Sequence, residues 1–147
     1  MSKTLDEQEL SRFAERYIAL WNEPDAEARR KRIRQLWAED GAQVLVDPPE
    51  AMREALTRLS FPIPTVEIRG YEALDRRVDR AYEEFVAPGE HVFVPEGHAV
   101  RLSLDLIGLT WHMVTKADGA VVGGGYDVIA LDDTGRIRWD HQYIGVA

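Results

Sequence analysis

The sequence predicts an α+β domain, with helices in the N-terminal half packed on a strongly bent, mostly antiparallel sheet from the C-terminal half. Three observations predict it. Apolar residues recur at steps of three and four in the segments up to Val86. From His91 onward they alternate, with turn residues between the runs. The chain has 147 residues, 45% of them hydrophobic, enough for one domain with one real core. A bent sheet wrapped on helices makes a half-cone whose interior is either filled by side chains or open to a ligand.

The elements follow in order. Thr4 to Glu7 has the form of a capping box, and Leu10, Phe13, Ala14, Tyr17, Leu20 and Trp21 form the apolar stripe of a first helix ending near Asn22. Asp25 caps a second helix with Ile33, Leu36 and Trp37 on its buried side, stopped by Asp40-Gly41. Ala42 to Val46 is a short strand ended by Asp47-Pro48-Pro49, and Glu50 to Leu59 is a short helix. Prolines keep 61–64 irregular, and Val66 to Arg69 is a short strand. Leu74, Val78, Ala81, Tyr82 and Phe85 align on a long helix from Tyr71 to Val86, broken by Pro88-Gly89. His91 to Pro95 is a strand. Gly97-His98 turns into a long run, Ala99 to Thr115, whose apolar residues switch from even to odd positions at Gly108, as a β-bulge would make them. Lys116 to Gly119 is a hairpin turn, and Ala120 to Leu131 and Arg136 to Val146 are the last two strands.

Composition excludes several classes. Lys plus Arg is 18 and Asp plus Glu is 26, a net charge of −8 that disfavours nucleic-acid binding. There are no cysteines, hence no disulfide, thiol nucleophile or thiolate metal site. No apolar run is long enough to span a membrane, and Met1 to Glu9 lacks the apolar stretch of a secretory signal. A cytoplasmic location is expected. His91, His98, His112 and His141 are scattered without metal-ligand spacing, so no metal is expected.

Four stretches in order, RYIALWNEPD (Arg16 to Asp25), LWAEDGAQV with DP (Leu36 to Pro48), RGYEAL (Arg69 to Leu74) and GYDVIALDDTGRI (Gly125 to Ile137), resemble the nuclear transport factor 2-like superfamily, in its SnoaL-like and ketosteroid-isomerase-like branches. The resemblance implies one domain over 1–147, a cone-shaped α+β barrel of three helices on a curved, mostly antiparallel sheet with a pocket inside. Members range from isomerases, cyclases, dehydratases and epoxide hydrolases to proteins without catalysis, so function must come from the site. In the isomerases a tyrosine and a protonated aspartic acid bind the developing oxyanion while a second aspartate moves the proton. Tyr17, Asp127 and Asp47 occupy the matching positions. By the same analogy Asp140 and Gln142 point inward from the last strand; the cyclases carry an acid near Gln142, and a glutamine cannot serve as base. The segment from Tyr17 to Asp47 is several residues longer than in the isomerases.

Each candidate also has a purely structural reading. Asp47 after an apolar strand would be desolvated and become a base near neutral pH, or it caps the turn or helix that follows. Tyr17, on the apolar stripe, needs a partner for its hydroxyl. Asp127, flanked by apolar residues mid-strand, is costly if buried unpaired, so it serves either a pocket or a structural hydrogen bond. Trp139 and Tyr143 alternate with Asp140 and Gln142, and only one set faces in. Trp21, Trp111 and Met113 would wall the cavity, which sends His112 to the outer face. Gly123-Gly124-Gly125 lie mid-strand with no helix after them, so they clear space for a neighbour or flat ligand rather than holding phosphate. Arg29, Arg30, Lys31, Arg32 and Arg34 are expected on a solvated helix face.

The expected function is cofactor-independent, isomerase- or cyclase-like proton transfer on an apolar, carbonyl-bearing substrate, with Asp47 as base and Tyr17 and Asp127 stabilising the enolate oxygen. The alternatives are a non-catalytic domain that binds a hydrophobic ligand and a dimeric interaction module. The expected partners are a small hydrophobic molecule and a second copy of the chain, not nucleic acid or membrane.

Overall fold

A computed structural model describes residues 5–46, 58 and 66–145. Helix α1 (Glu7–Asn22), helix α2 (Ala26–Leu36), strands β1 (Trp37–Leu45) and β2 (Val66–Arg69), and helix α3 (Tyr71–Ala81) come first. A π-helical turn, Tyr82–Val86, extends α3. Strands β3 (His91–Arg101), β4 (Leu106–Thr115), β5 (Val121–Leu131) and β6 (Ile137–Ile144) follow. The six strands form one sheet ordered β2-β1-β6-β5-β4-β3. Only β1 and β6 pair in parallel; β3 to β6 form the expected antiparallel meander.

The helices form where their stripes predict. Phe13, Tyr17, Leu20 and Trp21 of α1, Ile33 and Leu36 of α2, and Leu74 and Val78 of α3 are buried against Trp37, Leu109, Ile129, Leu131 and Ile137 of the sheet. Asp25 caps α2 by accepting from the Ala28 N–H at 2.9 Å. For α1 the cap is Asp6, which accepts from Glu9 N–H at 2.8 Å while Glu9 returns the bond, two residues beyond the expected box.

Five local expectations are corrected. Asp40-Gly41 does not stop α2. Strand β1 already starts at Trp37, and the two residues form an irregularity before pairing with β6 resumes at Ala42. Gly97-His98 is not the turn expected there: Gly97, at φ 70°, sits in a bulge inside β3, and the expected long strand Ala99 to Thr115 is instead split by a hairpin at 102–105, where the Leu102 N–H donates to Leu106 O at 2.8 Å. Val100, Leu102 and Leu104 alternate like a strand but are solvent-exposed, so their periodicity marks no buried face. Gly108 is no bulge either: a Cβ there would lie 1.9 Å from the Tyr126 hydroxyl, which leans across the outer face of the sheet. The basic run is not all solvated. Arg29 is 5% exposed, lies 3.1 Å from Asp79 and 4.5 Å above the Tyr82 ring, and pins α2 to α3. The expected helix from Glu50 to Leu59 and the irregular 61–64 lie, apart from Arg58, outside the described residues. No helix among the described residues is long and apolar enough to cross a membrane.

Candidate functional site

Alternation on the last two strands places the acids. Gly125, Asp127, Ile129 and Leu131 of β5 face inward, as do Asp140 and Gln142 of β6; Asp127 pairs with Gln142, and Ile129 with Asp140. Trp139 and His141 stack on each other on the opposite face. Asp127 and Asp140 are both completely buried. From across the cone, α1 brings Tyr17, packed between Phe13, Trp21 and Trp37.

The Tyr17 hydroxyl lies 2.8 Å from Asp127 Oδ2 and 2.5 Å from Asp140 Oδ2. It has one proton to give, so the other short contact needs a proton on the carboxyl. Asp127 also accepts from Trp111 Nε1 at 2.8 Å and from Gln142 Nε2 at 3.2 Å. Apart from Tyr17, the one donor to Asp140 among the described residues is Gln43 Nε2, at 3.1 Å, and its Oδ1 is buried with no partner among them. The donor count makes Asp127 the carboxylate and Asp140 the acid. Burial first, and the charge of Asp127 second, push Asp140 well above the usual carboxylate range, which agrees. Burial and the same two carboxyls push the Tyr17 phenol well above its usual value, so it stays neutral. The result is a chain of proton donors, Asp140 to Tyr17 to Asp127.

Arg77 of α3 closes the network. Its Nε donates to Gln43 Oε1 and its Nη2 to Gln142 Oε1, each at 3.1 Å, and those two amides turn their NH2 groups onto the carboxyls. Burial lowers its pKa, against the pull of Tyr17, Asp140 and Asp127, but a guanidinium remains charged at any working pH.

Above this network opens a cavity of about 240 Å³, lined by Trp21, Phe85, Phe93, Trp111, Met113 and the backbone at Gly123 and Gly124, with Tyr17, Arg77 and Gln142 as its polar groups. Asp127 and Asp140 lie beneath this lining rather than in it. Gly125 makes the floor possible: a Cβ there would lie 2.5 Å from the Trp111 ring, and its absence lets that indole lie on the sheet with Nε1 over Asp127.

The candidates named from sequence therefore divide. Tyr17, Asp127, Asp140 and Gln142 meet in one network, and Trp21, Trp111 and Met113 line the cavity above it. Asp47 lies outside the described residues; Val46, just before it, donates its N–H to Gln142 O at 3.0 Å. His112 faces outward, 3.5 Å from Glu96. Among the described residues no group of three His, Cys, Asp or Glu is placed to hold a metal ion. Sequence reasoning missed Gln43 and Arg77. Each had a signal: Gln43 is the lone polar residue in the apolar run from Ala42 to Val46, and Arg77 falls between Leu74 and Ala81 on the buried stripe of α3.

No protein-family model and no curated protein matches the chain. Solved structures do. A SnoaL-like family protein from Agrobacterium tumefaciens, provisionally an isomerase, superposes with a TM-score of 0.68 at 26% identity, over 90% of this chain and 94% of that one. A SnoaL-like protein of unknown function from Burkholderia thailandensis gives 0.64 at 13% identity, over 97% and 99%. A protein from Sinorhizobium meliloti, provisionally a polyketide cyclase, gives 0.58 at 14% identity, over 94% and 99%. The last two speak for the fold alone.

Proposed function

We propose that this chain, which belongs to the nuclear transport factor 2-like superfamily and to its SnoaL-like branch, is an isomerase- or cyclase-like enzyme that moves protons on an apolar, carbonyl-bearing substrate. The observation that carries this reading is the Tyr17 hydroxyl, held between two buried carboxyls under an apolar cavity. A phenol donates a stronger hydrogen bond to an enolate than to a ketone, because negative charge gathers on that oxygen in the transition state. As Tyr17 turns its proton from Asp127 Oδ2 to the substrate oxygen and gives it up, Asp140 gives its own to the Tyr17 oxygen, and no tyrosinate has to form. Asp140 ends as the carboxylate and is later reprotonated. Asp47 keeps the role of carbon-proton acceptor that its place in the sequence suggests. The walls exclude water, which strengthens every charge interaction inside.

The test needs no natural substrate. Naphthyl and steroidal ketones incubated with the protein in D2O should lose their α-proton NMR signals faster than in buffer. Tyr17→Phe, which keeps the ring packing, should slow that exchange by about 10²–10³-fold, as loss of one oxyanion donor does. Ketones that quench the Trp21 and Trp111 fluorescence yet exchange no faster than in buffer would sink the catalytic reading and leave a hydrophobic-ligand-binding domain.

The chain is further proposed to act as a homodimer. Val100, Leu102 and Leu104 near the β3–β4 hairpin and Val121 and Val122 at the start of β5 are all exposed, and apolar surface of this kind on a small domain favours a second copy. Sedimentation at micromolar concentration should give twice the mass of one chain; a single-chain species would refute it.

A further inference from the structure

Among the described residues, Arg29 is buried and Arg77 is half-buried against the cavity, and they are treated differently. Arg29 has a direct carboxylate partner, Asp79, at 3.1 Å. Arg77 has none among the described residues: its nearest polar contacts are the neutral amide oxygens of Gln43 and Gln142. Nη1 makes no hydrogen bond to any described residue, although Nε and Nη2 do. The guanidinium carbon lies over the Trp21 ring, 5.3 Å from its centroid, and the side chain lines the cavity. A desolvated cation that touches no carboxylate among the described residues is costly. The cost is tolerated where a ligand completes the pair, and a planar fork with a nitrogen that no described residue takes up is suited to meet a carboxylate.

We infer that the cavity recognises a planar aromatic molecule carrying a carboxylate, which docks on Arg77 while the ring lies over Gly123 and Gly124. The inference rests on the small-molecule reading of the same cavity and adds the chemical class of its ligand. Gly123 shares the inward parity of Gly125 and Asp127 and presents no side chain, and Gly124 beside it adds only backbone to the lining, so a flat ring can approach the sheet there. Trp111 and Phe93, whose rings meet edge-on at 5.5 Å, and Met113 supply the apolar wall. The negative charge of Asp127 does not compete for Nη1. It is held by Tyr17, Trp111 and Gln142, and the Gln142 side chain stands between it and the guanidinium. Arg77 thereby acts as a specificity-determining residue, separate from the proton chain.

A matched ligand pair tests it. 2-Naphthoate and 2-acetonaphthone share a ring system and differ in the charge of one substituent. Titrated against the protein at pH 7 by tryptophan quenching, naphthoate should bind at least about tenfold more tightly, equivalent to about 1.4 kcal/mol. Arg77→Met, which keeps most of the apolar stem, should abolish that preference while ketone binding survives; Arg77→Lys should retain part of it. Equal or tighter binding of the ketone by the parent protein overturns the carboxylate assignment but leaves the small-molecule cavity standing. A preference for naphthoate that persists in Arg77→Met also overturns it, because the anion is then held elsewhere. Failure of both ligands to bind overturns the cavity reading and this inference with it. Should Arg77→Met not fold, the parent comparison and Arg77→Lys still decide.

Discussion

Asp127→Leu is expected to lower the melting temperature by about 10 °C, from a loss of about 3–5 kcal/mol. Asp127 is completely buried and accepts from Tyr17, Trp111 and Gln142. Leucine fills the space but leaves those donors facing an apolar branch, and each unsatisfied buried donor costs about 1–3 kcal/mol. Arg77 also loses the nearest full negative charge of the network. Asp127→Asn should fall between parent and Leu, since one amide oxygen still accepts while the NH2 meets other donors. Turnover should fall in the same order, because Tyr17 would no longer be held in place by its acceptor. Differential scanning calorimetry on the three proteins checks this. A Leu variant melting within about 2 °C of the parent would show that Asp127 does not organise the network.

The second large effect is a change in how stability responds to pH. Asp140 holds its proton in the folded protein well above the range in which the unfolded chain releases it. Above the ordinary carboxylate range the native state therefore binds one more proton than the unfolded state, and stability falls as pH rises toward the folded-state value. Below that range both states are protonated and this group adds no slope. Asp140→Asn fixes a neutral side chain with a donor for the Tyr17 oxygen, so the slope should vanish. The stability difference between variant and parent should shift in favour of Asn by up to about 1.4 kcal/mol per pH unit across the window. Urea titrations from pH 4 to pH 8 measure it. A difference independent of pH would mean that Asp140 is ionised in the folded protein and that the proton chain is misassigned.

Much of this was legible in the sequence because it depends on local periodicity. The stripe from Leu10 to Trp21 is a fact about spacing along one helix, and it put Tyr17 inside. Parity on β6 gave two possible inward sets, and the resemblance selected Asp140 and Gln142, which are the buried ones. What failed depends on other elements. Val100, Leu102 and Leu104 alternate as a buried strand would, but they lie where β3 runs into its hairpin and no layer covers them. Arg29 was lost in a run of basic residues because its partner, Asp79, is fifty positions away on α3. Arg77 and Gln43 acquire meaning only once α3, β1 and β6 meet, since neither reaches a carboxyl by sequence proximity. The pairing of Asp140 with Tyr17 spans 123 positions, and no local rule could have drawn it.

The glycine opposite Trp111 has a consequence for assembly of the sheet. Strands β4 and β5 carry two interlocks on opposite faces: the Trp111 ring sits on Gly125 inside, and the Tyr126 hydroxyl sits over Gly108 outside. A one-residue slip turns every side chain to the wrong face. A two-residue slip preserves the faces, and hydrophobic alternation alone would tolerate it. The interlocks would not: in one direction Trp111 lands on Asp127, and in the other Tyr126 leans on Leu106. The pair works as a key and ward, admitting one alignment of two long strands whose outer ends are rich in interchangeable valines. The alignment that folding must find to seat the two rings is also the one that sets Trp111 Nε1 on Asp127.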